Sequence, residues 1–131
     1  MARDISKINA SVVRILVVED DKLSQKVTHL MLKRLGYEAY VVSNGIEAIE
    51  AIERETFFLV LMNVRMPLMD GMEATRQIRR RWQNKQKIIA LTALAYPEAV
   101  EKCLAAGMDD HISKPVTIDK MAKMLGKYLP R

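Results

Sequence analysis

Six apolar residues at positions 57–62 run without a break and stop at one polar side chain, Asn63. A strand with one wet face alternates apolar and polar residues. An unbroken short run bounded by turn residues is the pattern of a strand covered on both faces. Pro67 and Asp70-Gly71 supply the turn. In an open parallel sheet the ligand crevice lies at the carboxyl ends of the strands, so Asn63 stands where a ligand would be met.

The rest of the chain supplies the cover. Residues 12–18 are a β-branched run ending at Glu19-Asp20-Asp21. Leu23, Val27, Leu30, Met31 and Leu35 then recur at helical spacing, predicting a first helix with that face inward, and Gly36 stops it. Residues 37–42 read as a second strand, and Asn44 with Glu47 resembles a capping box opening a helix that carries Ile46, Ile49 and Ile52 on one face. After the strand at 57–63, a third helix runs from about Gly71 through Ile78 to about Trp82. Residues 87–92 form a fourth strand. Pro97 occupies the first turn of a fourth helix, with Val100, Cys103 and Leu104 inward and Gly107 ending it. Residues 111–113 are a short fifth strand, and Thr117 caps a last helix carrying Ile118, Met121, Leu125, Tyr128 and Leu129.

Strand and helix thus alternate five times. Each right-handed crossover between parallel strands needs a helix, so the fold class is α/β, and a barrel would need eight units. The expected architecture is a doubly wound five-stranded parallel sheet in the order 2-1-3-4-5, spanning residues 13–131 after a tail at 1–12.

Composition agrees with one soluble domain. Of 131 residues, 50% are hydrophobic and 28% charged, but only 5% are aromatic, so the core is built mainly from Ile, Val, Leu, Met and Ala. The single cysteine, Cys103, excludes an internal disulfide and reads as a small core residue. No apolar stretch has membrane-spanning length, residues 1–11 hold no signal-peptide core, and a cytoplasmic location is expected. The net charge of +5 reads as solubility. The cluster Arg76, Arg79, Arg80, Arg81, Lys85 and Lys87 lacks interleaved aromatics and a recognition helix, so nucleic-acid binding ranks low.

The polar residues at the strand ends form a constellation. Strand one ends in Glu19 and Asp20, strand three in Asn63, strand four in Thr92, and strand five in Lys114. In the expected order these strands are neighbours. Two carboxylates with an amide oxygen make a hard-oxygen site suited to Mg2+. A hydroxyl and an ammonium suit phosphoryl oxygens, and Ala93 leaves room for them. No glycine-rich phosphate loop is present, which argues against a nucleotide or a flavin. Singly, Asp20 or Asp21 could be a helix cap, Thr92 a strand end and Lys114 a solvated loop residue. Their joint placement points to a site.

These residues carry a resemblance. The stretches Ile15-Leu16-Val17-Val18-Glu19-Asp20-Asp21, Val60-Leu61-Met62-Asn63-Val64-Arg65-Met66-Pro67-Leu68-Met69-Asp70-Gly71, Ala90-Leu91-Thr92-Ala93 and Ala106-Gly107-Met108-Asp109-Asp110-His111-Ile112-Ser113-Lys114-Pro115 resemble the response-regulator receiver domains of two-component signalling. The last stretch is most similar to receivers of hybrid histidine kinases, and also occurs in stand-alone receivers. The resemblance implies a flavodoxin-like fold and an aspartate at the end of strand three that accepts a phosphoryl group from a phosphohistidine. It implies that Glu19, Asp20 and the backbone carbonyl of Arg65 hold Mg2+, that Thr92 is the switch hydroxyl, and that Lys114 pairs with the phosphoryl group. It implies a cis Lys114-Pro115 bond and places His111 where a switch Tyr or Phe is usual. The implied partners are a histidine kinase or phosphotransfer domain near helix one and the active edge. A downstream protein would use the face of helix four, strand five and helix five.

The chain departs from the family at position 63, where Asn replaces the phosphoacceptor. A carboxylate oxygen can attack phosphorus; a neutral carboxamide cannot form the acyl phosphate. An Asp there would support autophosphorylation and autodephosphorylation, so the Asn chain is expected to be no enzyme, to mimic the unphosphorylated state and to bind Mg2+ more weakly. The intact Glu19, Asp20, Thr92 and Lys114 favour an engineered substitution or recent loss over a natural phosphorylation-independent interaction module. His111 reads as a partly exposed ring, with a pH-sensitive switch as the sharper alternative. Met66 and Met69 read as core filler or partner contacts, and His29 as a surface or partner residue.

Overall fold

The computed structural model describes residues 14–129. The expected tail at 1–12, and Val12 and Val13 of the expected first strand, lie outside the described residues. The elements are β1 (Arg14–Val18), α1 (Lys22–Arg34), β2 (Glu38–Val42), α2 (Gly45–Arg54), β3 (Leu59–Asn63), α3 (Gly71–Trp82), β4 (Lys87–Thr92), α4 (Pro97–Ala106), β5 (Asp110–Ser113) and α5 (Ile118–Tyr128). All strand pairs are parallel, in the order β2-β1-β3-β4-β5. The second strand starts one residue later than expected and the fifth one earlier.

Central β3 is buried along its whole length, whereas the edge strand β2 is exposed at Glu38 and Tyr40. Alternate strand residues feed two cores. Leu16, Val18, Val60, Met62, Ile88 and Ala90 meet α2, α3 and α4 on one face. Ile15, Val17, Leu59, Leu61, Ile89 and Leu91 meet α1 and α5 on the other. This two-sided cover is why β3 tolerates no polar residue before Asn63.

Four helices open on a side-chain cap. Asp21, Asn44, Asp70 and Thr117 each accept the backbone N–H three residues on, at 2.8–3.2 Å. Glu47 also reaches back, accepting the Ser43 N–H at 2.7 Å. Helix α4 instead opens with Pro97 and closes at Gly107, whose φ of 114° only glycine adopts at little cost.

Helix α1 is turned differently from the expectation. Leu23, Val27 and Leu30 are exposed by 71%, 42% and 53%, while Thr28 and Leu32 are buried. The helix carries two apolar stripes, and Gln25 decides between them. Its Nε2 donates to the Glu19 backbone oxygen at 2.6 Å and to Ser43 Oγ at 3.2 Å, which sets the roll of the helix. Ile46 and Leu104 are likewise exposed, contrary to the expected inward faces.

The basic cluster is largely engaged within the domain. Arg79 donates to the backbone oxygens of Gly107, Gln83 and Gln86 and to the Asp109 carboxylate, all at 2.8 Å. Arg76 and Arg80 pair with Glu73, and Arg81 pairs with Glu53 and lies over the Trp82 ring. No helix among the described residues is long and apolar enough to cross a membrane.

Candidate functional site

The register brings the strand ends together. Val18 lies opposite Met62, so Glu19 is level with Asn63. Asn63 lies opposite Leu91, so Thr92 is one step beyond it, and Thr92 lies opposite Ser113, which precedes Lys114. Side-chain alternation then sorts these residues. Asn63 continues the face of Leu59 and Leu61, and Glu19 that of Ile15 and Val17, so the two meet above one core. Thr92 continues the opposite face, that of Ile88 and Ala90.

Asn63 is buried to 5% exposure and fully hydrogen-bonded. Its Nδ2 donates toward Glu19 Oε2 and Asp20 Oδ1 at 3.1 Å and the Arg65 backbone oxygen at 3.0 Å. Its Oδ1 accepts from Lys114 Nζ at 2.8 Å. Lys114 Nζ also stands 3.7 Å from Glu19 Oε1. Burial pushes the Glu19 carboxyl above its ordinary pKa, with the Asp20 carboxylate adding to the rise; the Asp21 N–H and Lys114 oppose it. The structure therefore brings Glu19, Asp20, Asn63, Arg65 and Lys114 together at one edge.

Thr92 is close but turned aside. Its hydroxyl accepts the Leu94 N–H at 3.0 Å and donates to the Leu94 oxygen at 3.2 Å, with no bond to Asn63 or Lys114. Between them a recess of about 330 Å3 is lined by Asn63, Thr92, Ala93 and Lys114, among others. The Lys114-Pro115 bond is cis. His111 is half-buried in β5, its Nδ1 3.9 Å from Asp110 Oδ1.

The donor set fits a divalent cation only in part. Glu19, Asp20 and the Arg65 carbonyl converge on one point, but the amide hydrogens of Asn63 point into it. No group of three or more His, Cys, Asp or Glu side chains able to hold a metal occurs among the described residues.

Other candidates fall elsewhere. Met66 and Met69 pack on the domain's own core, and buried Cys103 has a thiol whose pKa burial raises. Trp82, half-buried, precedes the start of β4 and so sits at the sheet end remote from Asn63, which makes it a poor reporter of the site. Gln25 is a site residue that sequence reasoning misses, because nothing in the sequence marks a helix glutamine as a clamp between two loops. Leu68 carries no sequence signal either; it is 81% exposed at φ 70° in the loop between β3 and α3.

Residues 15–126 match the family described as the response regulator receiver domain. The chain belongs to that family. It is a receiver domain of two-component phosphorelay signalling, with the doubly wound fold in the order 2-1-3-4-5. Its receiver sequence is 38% identical to the probable histidine kinase 1 of Oryza sativa subsp. indica, covering 89% of this chain and 15% of that protein. It is 39% identical to histidine kinase 5 of Arabidopsis thaliana, covering 88% of this chain and 16% of that protein. The chain thus spans about one sixth of the length of these curated relatives. Among solved structures it is similar to the receiver domain of the sensor histidine kinase PA1611 of Pseudomonas aeruginosa, with TM-score 0.83 and 39% identity over 90% of this chain and 98% of that one. In that receiver a magnesium ion is coordinated in the active-site cleft. It is also similar to the receiver of the Saccharomyces cerevisiae response regulator Ssk1, co-crystallised with the phosphotransfer protein Ypd1, with TM-score 0.85 and 25% identity over 89% of this chain and 88% of that one.

Proposed function

We propose that this receiver docks a histidine kinase or phosphotransfer domain but accepts no phosphoryl group, because Asn63 stands at the acceptor position. The supporting observation is the Asn63 amide, whose oxygen is held by Lys114 and whose nitrogen faces two carboxylates. In receiver chemistry a carboxylate oxygen attacks phosphorus as the phosphorus–nitrogen bond of the donor histidine breaks. The Asn63 nitrogen has its lone pair delocalised into the carbonyl, and its oxygen lies against an ammonium that lowers its nucleophilicity further. A receiver with an aspartate at this position would offer a metal three carboxylates, and this chain offers two. Mg2+ binding at Glu19, Asp20 and the Arg65 carbonyl, with Asn63 in place of a third carboxylate, is therefore weakened. Thr92, turned to Leu94, fits the unphosphorylated arrangement, and the face of α4, β5 and α5 would present that state to a downstream partner.

The docking surface is apolar. Leu23 and Val27 flank a cleft of about 240 Å3 that reaches Glu19, Lys114 and Pro115. Together with exposed Leu30, this face of α1 suits an apolar helical partner beside the active edge. The otherwise complete site favours a substituted acceptor over a long-diverged interaction module, the second reading.

Acetyl phosphate with Mg2+ should add no mass to this chain and one phosphoryl group to Asn63→Asp, read by intact-mass spectrometry. An adduct on the Asn form would overturn the reading.

A further inference from the structure

We propose that the side-chain amide of Asn63 is the pocket's own substitute for a cation, and that it competes with a divalent ion instead of helping to bind one. Three acceptors, Glu19 Oε2, Asp20 Oδ1 and the Arg65 oxygen, surround Nδ2 at 3.0–3.1 Å. That is the coordination a small cation would receive, met here by two N–H hydrogens of partial positive charge. Three acceptors for two hydrogens leave one bond shared, so every hydrogen is engaged.

The orientation is locked at both ends. Turning the amide by half a revolution would aim its oxygen at three acceptor oxygens. It would also aim its NH2 at the Lys114 ammonium, now 2.8 Å from Oδ1. Both contacts become repulsive. A divalent ion reaching Glu19 and Asp20 must therefore first displace the NH2 group, and the amide oxygen is not free to follow it as a ligand. The residue at 63 thus inverts its role: an aspartate there would add charge that a metal must neutralise, whereas the Asn63 amide adds none and turns the partial positive charge of its N–H groups to the carboxylates already present. The ligand set is held in place without a metal.

This deepens the proposed reading of the same site. Its test uses neither phosphodonor nor partner protein, so it can fail while that reading stands. The discriminating variant is Asn63→Ala. If Asn63 were merely a poor ligand, Mg2+ affinity would fall in the order Asp, Asn, Ala. If the amide competes, the order is Asp, Ala, Asn, with the Ala form binding about tenfold tighter than the Asn form, the equivalent of about 1.4 kcal/mol of displaced hydrogen bonding. Mg2+ titration of the three proteins by calorimetry reads this order, and circular dichroism checks that Asn63→Ala is folded. A second measurement needs no variant beyond the Asp form. In 15N spectra of the unsubstituted chain, the Asn63 side-chain NH2 signals should hold their positions at Mg2+ concentrations that saturate the Asp form. An Asn form that binds Mg2+ as tightly as the Ala form, or NH2 signals that move with the Asp form's saturation, would overturn the proposal.

Discussion

Exchanging one oxygen for NH2 at position 63 changes the sign of the group facing Glu19 and Asp20 while leaving its shape. The same sensitivity of single polar atoms is seen at Asp110. Its Oδ2 accepts from Lys127 Nζ at 2.7 Å and Tyr128 Oη at 2.8 Å, and its Oδ1 accepts the His111 N–H at 2.8 Å. Burial favours the neutral acid here, but those three donors outweigh it and hold the carboxyl below its ordinary pKa. The unfolded chain then binds more protons than the folded one as pH falls, so this contribution to stability is present above the unfolded value of about 4 and lost below it. Asp110→Asn should therefore lower the urea midpoint at pH 7, and the difference should close as pH falls through the folded pKa. A difference that persists undiminished at pH 2 would contradict the assignment.

At the scale of elements, two glycines behave oppositely for reasons only their surroundings supply. Gly126 lies exposed within α5, and among the described residues a Cβ there meets no atom within 4 Å. Gly126→Ala should stabilise the domain by about 1 kcal/mol, the difference in helix propensity. Gly71 opens α3 directly against β3, and a Cβ there would collide with the Asn63 backbone oxygen and the Met62 side chain. Gly71→Ala should cost about 2 kcal/mol, because the obstructing atom is backbone and has no rotamer to change. Thermal melts of the two variants should move in opposite directions. Helix α1 makes the same point about context. Its apolar spacing predicts a helix, and a helix is there, but the stripe at Leu23, Val27 and Leu30 faces outward, because Gln25 and Thr28 turn the other side to the sheet.

At the scale of the whole molecule, Arg79 ties the base of the sheet together. Its guanidinium joins the end of α3, the entry to β4 and the turn into β5, with only 14% of the side chain exposed. Burial lowers its pKa and Asp109 opposes the shift, so the charge is kept by its partner. Arg79→Ala would take a donor from three carbonyls and remove the charged partner of Asp109, whose Oδ2 would keep only the Ile88 N–H, and should cost about 3 kcal/mol in urea unfolding. Arg79→Lys should restore less than half, since one ammonium cannot span the fork.

Much of this was legible in the chain. The order of elements, the caps at Asp21, Asn44 and Thr117, and the sheet order rest on local spacing and chain connectivity. So does the gathering of Glu19, Asp20, Asn63, Thr92 and Lys114 at one edge, because parallel strands necessarily align their carboxyl ends. What the tertiary structure alone decided is direction. An asparagine carries a donor and an acceptor at equal reach, and only Lys114 on one side and two carboxylates on the other choose which end points where. Composition and periodicity set which residues can meet; the orientation of the Asn63 amide depends on neighbours distant in sequence, and no local spacing encodes them.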